Sequence, residues 1–185
     1  MDNYPSQLAP DLDESGAVAT PFGDWWARVE QSYPTVPQEV AKEWLHRHWG
    51  HSPFRYLKSS FYEFELQTWP SSRLLNVRSV VNNLGDLSER RDHGRYLLEE
   101  HPYELWLVNF MKQNNTFPTP IICLDNRDGH LVPGEGDVPC YPQVPTGIFL
   151  VEGHERFAIA LHLLEMGTLK EVIPVWMMKP SLARK

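Results

Sequence analysis

The residues best placed to do chemistry lie together in Glu152-Gly153-His154-Glu155-Arg156: a carboxylate, an imidazole and a guanidinium, separated by one glycine and one further acid. Ahead of them Ile148-Phe149-Leu150-Val151 reads as a buried strand; behind them Phe157, Leu161 and Leu164 recur at the i, i+4, i+7 spacing of a helix. The spacing predicts strand, glycine turn, helix. A helix that opens straight after a glycine presents backbone N–H groups and the positive end of its dipole, and His154 and Arg156 add charge to that first turn. Such a turn is a seat for an anion, most simply a phosphate. On this reading Gly153, His154, Glu155 and Arg156 bind phosphate, His154 doubles as a proton-transfer group, and Glu152 orients a nucleophile or holds a metal. The plain alternative is a junction in which Gly153 only permits the turn and the basic residues form a solvated cap.

Other candidates are weaker. Pro120 to Leu124 predicts a buried strand, and ligands in sheet folds gather at strand ends, so Asp125 is the candidate magnesium or hydroxyl partner. Asp125-Asn126-Arg127-Asp128-Gly129 is also ordinary turn chemistry, and the absence of a glutamate at the twelfth position excludes a calcium loop. His46, His48 and His51 cluster in sequence, yet His46 and His48 would point about 200° apart on a helix and cannot share one ion. The charge run Glu89 to Arg95 reads as a solvated loop, or else lends Arg90, Arg91 or Arg95 to a ligand phosphate. Cys123 reads as a small core residue and Cys140 falls in a proline-rich loop with nothing nearby to activate it.

These residues need a scaffold, and 185 residues supply one domain with an elaboration. At 42% hydrophobic and 22% charged the composition is globular, while sixteen prolines make long helices improbable outside a few windows. The net charge of −7 argues against a general affinity for nucleic acid. Two cysteines fit a reducing, cytoplasmic setting, and no window approaches the roughly 18 apolar residues of a membrane span.

Residues 1–20 are polar and acidic, and read as a flexible arm. Pro21 to Tyr33 and Val36 to Trp49 predict two helices of an aromatic-rich extension over residues 21–60. Phe61 to Trp69 alternates as a half-buried strand with Phe64, Leu66 and Thr68 on one face, and opens the main domain, residues 61–180. Arg73 to Val81 predicts a strand or a short helix, Asn82 to Asp86 a turn, Tyr103 to Gln113 a helix behind Pro102, and Leu131 to Gly147 a long irregular loop or lid.

The run Val151 to Ala160, a loop, and then Val172-Ile173-Pro174-Val175-Trp176 resembles the signature of the ParB/sulfiredoxin superfamily, with Thr119-Pro120-Ile121-Ile122-Cys123-Leu124 similar to its preceding strand. The resemblance covers roughly residues 100–178. It implies an α+β fold, a small mixed sheet with helices, here preceded by an N-terminal helical, aromatic-rich extension. Sulfiredoxins carry a catalytic cysteine directly after the glycine, where this chain has His154, so their thiol chemistry has no nucleophile here. ParB partition proteins carry Gly-Glu-Arg-Arg, and only Arg156 matches those two arginines. Gly-His-x-Arg is closer to branches that bind nucleotide phosphates and include small-molecule kinases. The resemblance therefore implies that His154 and Arg156 contact phosphate, with a nucleotide triphosphate or diphosphate and Mg2+ as ligand.

Two functional classes stay open. One is a domain that binds a nucleotide or another small phosphate ligand, with phosphoryl transfer or phosphodiester cleavage as its chemistry if it is catalytic. The other is a non-catalytic interaction module that keeps the fold, with a protein partner on its aromatic N-terminal half.

Overall fold

Two continuous apolar runs become adjacent strands at the heart of a sheet, as residues buried on both faces require. They are β3 (Ile121–Asp125) and β4 (Ile148–Glu152), each with its first four residues buried. The computed structural model describes residues 5–49, 52, 54, 57–79, 87–101, 103, 105–131 and 144–181. With β1 (Tyr62–Pro70), β2 (Val77–Ser79) and β5 (Val172–Pro180) the strands form one five-stranded mixed sheet in the order β1-β5-β3-β4-β2. The class is α+β, as the sequence predicts.

Strands β3 and β4 run antiparallel, pairing Asp125 with Ile148 and Ile122 with Glu152, with an irregularity between Ile122 and Cys123. The short β2 runs parallel to β4, Val77 beside Ile148 and Ser79 beside Leu150. Ser71 N–H donates to Glu171 O and Ser181 N–H to Phe61 O, which runs β1 antiparallel to β5. The β1 alternation departs from the sequence reading. Tyr62 and Trp69 are buried, seven positions apart and so on opposite parities, while Leu66 is 52% exposed. The strand changes its buried side midway, so Leu66 does not join Phe64 as the pattern predicts.

The chain divides into two compact units: residues 66–128 with 146–177, and residues 1–65 with 129–145 and 178–185. In the first, helix α3 (Ser88–Glu99) replaces the loop expected over Glu89 to Arg95. Its buried positions are Arg90, Gly94, Leu97 and Leu98, a helical stripe whose first half is an arginine and a glycine rather than apolar residues. α4 (Trp106–Asn114) closes on Asn115 in the left-handed region, φ 54°. α5 (His154–Glu165) is buried from Arg156 through Leu163. Helix α3 lies directly against it: a Cβ added at Gly94 would overlap the Ala158 carbonyl oxygen. A 3-10 segment over Ser71–Asn76 precedes β2, so both halves of the strand-or-helix alternative occur, one after the other.

In the second unit, α1 (Phe22–Val29) and α2 (Gln38–Val40), which continues as a π-helical turn over Ala41–His46, are the two predicted helices. The arm expected over residues 1–20 is folded from Pro5 onward: Trp25 Nε1 donates to Leu8 O at 2.7 Å, Arg28 to Ala9 O at 2.7 Å, and Leu12 bridges Val18. A buried indole N–H must find an acceptor, and the arm supplies it. Trp25, Trp44, Trp49 and Tyr33 are buried and form the core of this unit. No helix among the described residues is long and apolar enough to cross a membrane. The turn expected over Asn82 to Asp86, residues Val80, Val81 and Pro102, His51, Cys140 and most of the predicted loop or lid lie outside the described residues.

Candidate functional site

The turn between β4 and α5 has the predicted form. Gly153 is left-handed, φ 96° and ψ 35°, and α5 begins at the next residue, with Phe157 N–H donating to Gly153 O at 2.8 Å. Two constraints select glycine here. The positive φ strains any L side chain, and an added Cβ would stand 2.8 Å from Ile121 Cγ2 and 3.1 Å from Arg156 Nε. The second contact places the guanidinium directly against the glycine. The N–H groups of the first turn of a twelve-residue helix point out of its end beside that cation.

Arg156 is only 6% exposed. Its Nη1 donates to Thr119 O at 3.1 Å and also to Thr119 Oγ1, and its Nη2 lies 3.9 Å from Glu152 Oε1. A guanidinium stays charged when buried, so it needs such acceptors, and Thr119 fixes its plane. His154 is half-buried with Nε2 out of solvent, Glu152 is half-buried, and Glu155 is exposed. The turn thus brings Glu152, Gly153, His154 and Arg156 together, and turns Glu155 outward.

Asp125 is not brought to this place, which corrects the expectation that it could hold a metal there. The antiparallel register puts it opposite Ile148, four residues before Glu152, about 14 Å away at the ~3.4 Å rise of a strand. Both its oxygens are engaged by Arg127, at 2.8 Å from Nε and 2.5 Å from Nη2, and Oδ1 also accepts the Arg127 N–H at 3.1 Å. The pair raises the Arg127 pKa, first through the hydrogen bonds and then through the charge of Asp125. This is turn chemistry.

The α3 arginines expected to reach a ligand are otherwise placed. Arg91 pairs with Glu165 at 2.6 Å and Arg95 with Glu100 at 2.7 Å, while Arg90 is buried, which lowers its pKa. Cys123 is fully buried and burial pushes its thiol upward, so it offers no thiolate. His46 Nε2 lies 2.8 Å from Thr20 O, with its ring against Phe22 and Trp25. Among the described residues no group of three or more His, Cys, Asp or Glu side chains could hold a metal ion. Glu152 alone could supply one carboxylate ligand, with the rest coming from a phosphate and water.

Sequence reasoning missed Thr119. It precedes the apolar run of β3, and only the β3–β4 register reveals that it ends beside the residues following β4. It also missed the contact of buried His162 with Glu99, Nε2 to Oε1 3.1 Å, which ties α5 to α3.

Compared with protein-family models, with curated proteins and with solved structures, the chain matches none.

Proposed function

We propose that this chain is a ParB/sulfiredoxin-like protein that binds a phosphate-bearing ligand, a nucleoside triphosphate or diphosphate with Mg2+, at the Gly153-His154-Glu155-Arg156 turn. One observation carries the proposal: a buried, permanently charged guanidinium is held against a left-handed glycine at the opening of a long helix. Thr119 fixes one edge of the fork, and the Nη2 edge toward Glu152 is the edge a phosphate would take, where Glu152 would be the carboxylate to hold a Mg2+ that offsets the phosphate charge. His154 then donates to the ligand or moves a proton, and Glu152 orients the attacking group if the bound ligand reacts. Binding is the claim; phosphoryl transfer or phosphodiester cleavage is the class of chemistry these groups suit.

The second reading, a non-catalytic interaction module of the same fold, is favoured by the same arginine seen otherwise: a cation satisfied by Thr119 and facing Glu152 can be wholly structural. A thermal melt separates the two. ATP, ADP or CTP with Mg2+ at about a hundredfold excess over Kd raises the melting temperature by about 5 °C or more under the binding reading. His154→Ala, which leaves Arg156 in place, cuts that shift to about half or less. An unchanged melting temperature with all three nucleotides supports the interaction module.

A further inference from the structure

Away from the Gly153 turn, the first unit carries a row of aromatic rings that its core does not use. On α3 and at its C-cap, Glu89, His93, Tyr96 and Glu100 follow one another at 4, 3 and 4 residues and so form one outward stripe beside the buried Arg90, Gly94 and Leu97. His93 stacks on Tyr96 with centroids 6.4 Å apart, Tyr96 meets His101 edge-on at 5.7 Å, and His101 meets Tyr103 at 5.9 Å. Trp106 on α4 adds a further ring, 5.8 Å from Phe110, which itself packs against the core. Tyr103 is 74% and Trp106 70% exposed. Large aromatics left this open forgo burial that the fold could have used, which marks an interaction surface more than a packing residue.

The row is fixed by the backbone rather than by chance side-chain contact. Tyr96 O accepts from the N–H groups of both Glu100, at 3.0 Å, and His101, at 2.9 Å, closing α3 with the His101 ring against Tyr96. His101 Nδ1 then lies 3.0 Å from Tyr103 O and 3.3 Å from Tyr103 N. A preorganised surface loses less entropy on docking.

The charges at its edge select the occupant. Glu89 and Asp92 are exposed on α3, the nearby Arg91 and Arg95 are paired with Glu165 and Glu100, and the whole chain carries −7. Phosphate-backed bases would be repelled, whereas a guanidinium stacks on a tyrosine or tryptophan face while its N–H groups reach carboxylates. The same unit already uses this contact internally, with the Arg73 guanidinium 3.9 Å over the Trp69 ring. We propose that the face formed by α3, Tyr103 and Trp106 docks an arginine-rich segment of a partner protein. The inference is independent of the phosphate reading.

The test is fluorescence anisotropy of labelled heptaarginine and heptalysine peptides titrated with the full chain. The expected result is saturable heptaarginine binding, several-fold weaker heptalysine binding, and about a tenfold loss in the Tyr96→Ala/Tyr103→Ala double variant, the size of two exposed cation–π contacts. Both substitutions are at exposed positions, and Tyr96→Phe/Tyr103→Phe, which keeps the rings, retains the affinity. Four results would overturn the proposal: no saturable heptaarginine binding; equal affinities for the two peptides with no effect of the double alanine variant, as diffuse charge alone gives; preferred binding of an oligothymidylate; or a homodimer that the double variant dissociates.

Discussion

The two ends of the β3–β4 pair pose the same elements and use them differently. At each end an acidic residue closes a strand and an arginine follows within four residues: Asp125 with Arg127, and Glu152 with Arg156. The Arg127 side chain is 63% exposed and grips Asp125 with two short hydrogen bonds, whereas that of Arg156 is 7% exposed, held by Thr119, and 3.9 Å from Glu152. The close pair is a local staple of a turn, worth little because its arginine is open to water. The distant pair keeps a cation buried, its field offset only in part by Glu152 at 3.9 Å, and what remains is what an anion would feel. Burial, more than residue type, separates a turn from a candidate site.

Substitutions at matched positions can break or sharpen this comparison, most strongly at the arginines. Arg156→Ala should destabilise by about 3–5 kcal/mol, because it strands Glu152 and the Thr119 acceptors, while Arg127→Ala should stay within about 0.5 kcal/mol. Urea denaturation of the two variants checks this, and similar small losses at both would erase the distinction. Next come the glycines. Gly153→Ala should cost about 2–3 kcal/mol, combining the strain of φ 96° with the clash on Ile121, against about 1 kcal/mol for Gly129→Ala at φ 72°. Equal losses in thermal melts would mean that Ile121 simply moves aside. Thr119→Val should cost about 1–2 kcal/mol by removing one acceptor of a buried donor. Asp125→Asn is the smallest change, about 0.5 kcal/mol or less by the same melts. A Thr119 variant as harmless as the Asp125 one would show that the guanidinium does not need that hydroxyl.

Where backbone chemistry and continuous apolar runs decide, the structure was legible. Strands β3 and β4, the Gly153 turn and α5 follow from local residues, since only glycine suits the left-handed bend and four buried residues in a row suit a covered strand. Helix α3 was not legible: its inward stripe spends two positions on Arg90 and Gly94, which hydropathy reads as loop, and the reason for Gly94 is the carbonyl of Ala158 in a helix sixty-four residues later. Leu66 was misplaced because the burial phase of β1 shifts within the strand. At the candidate site, Glu152, His154 and Arg156 were readable from their spacing, while the roles of Thr119 and Asp125 depended on the β3–β4 register, which no local pattern encodes.

The central claim is that the field of Arg156 at the Gly153 turn serves a phosphate. Isothermal titration calorimetry of ATP, ADP and CTP with Mg2+ into the chain and into His154→Ala tests it most directly. The account predicts saturable one-site binding of at least one nucleotide, weakened about tenfold or more in the variant. No heat of binding from any of the three, or identical isotherms for the chain and the variant, would contradict it.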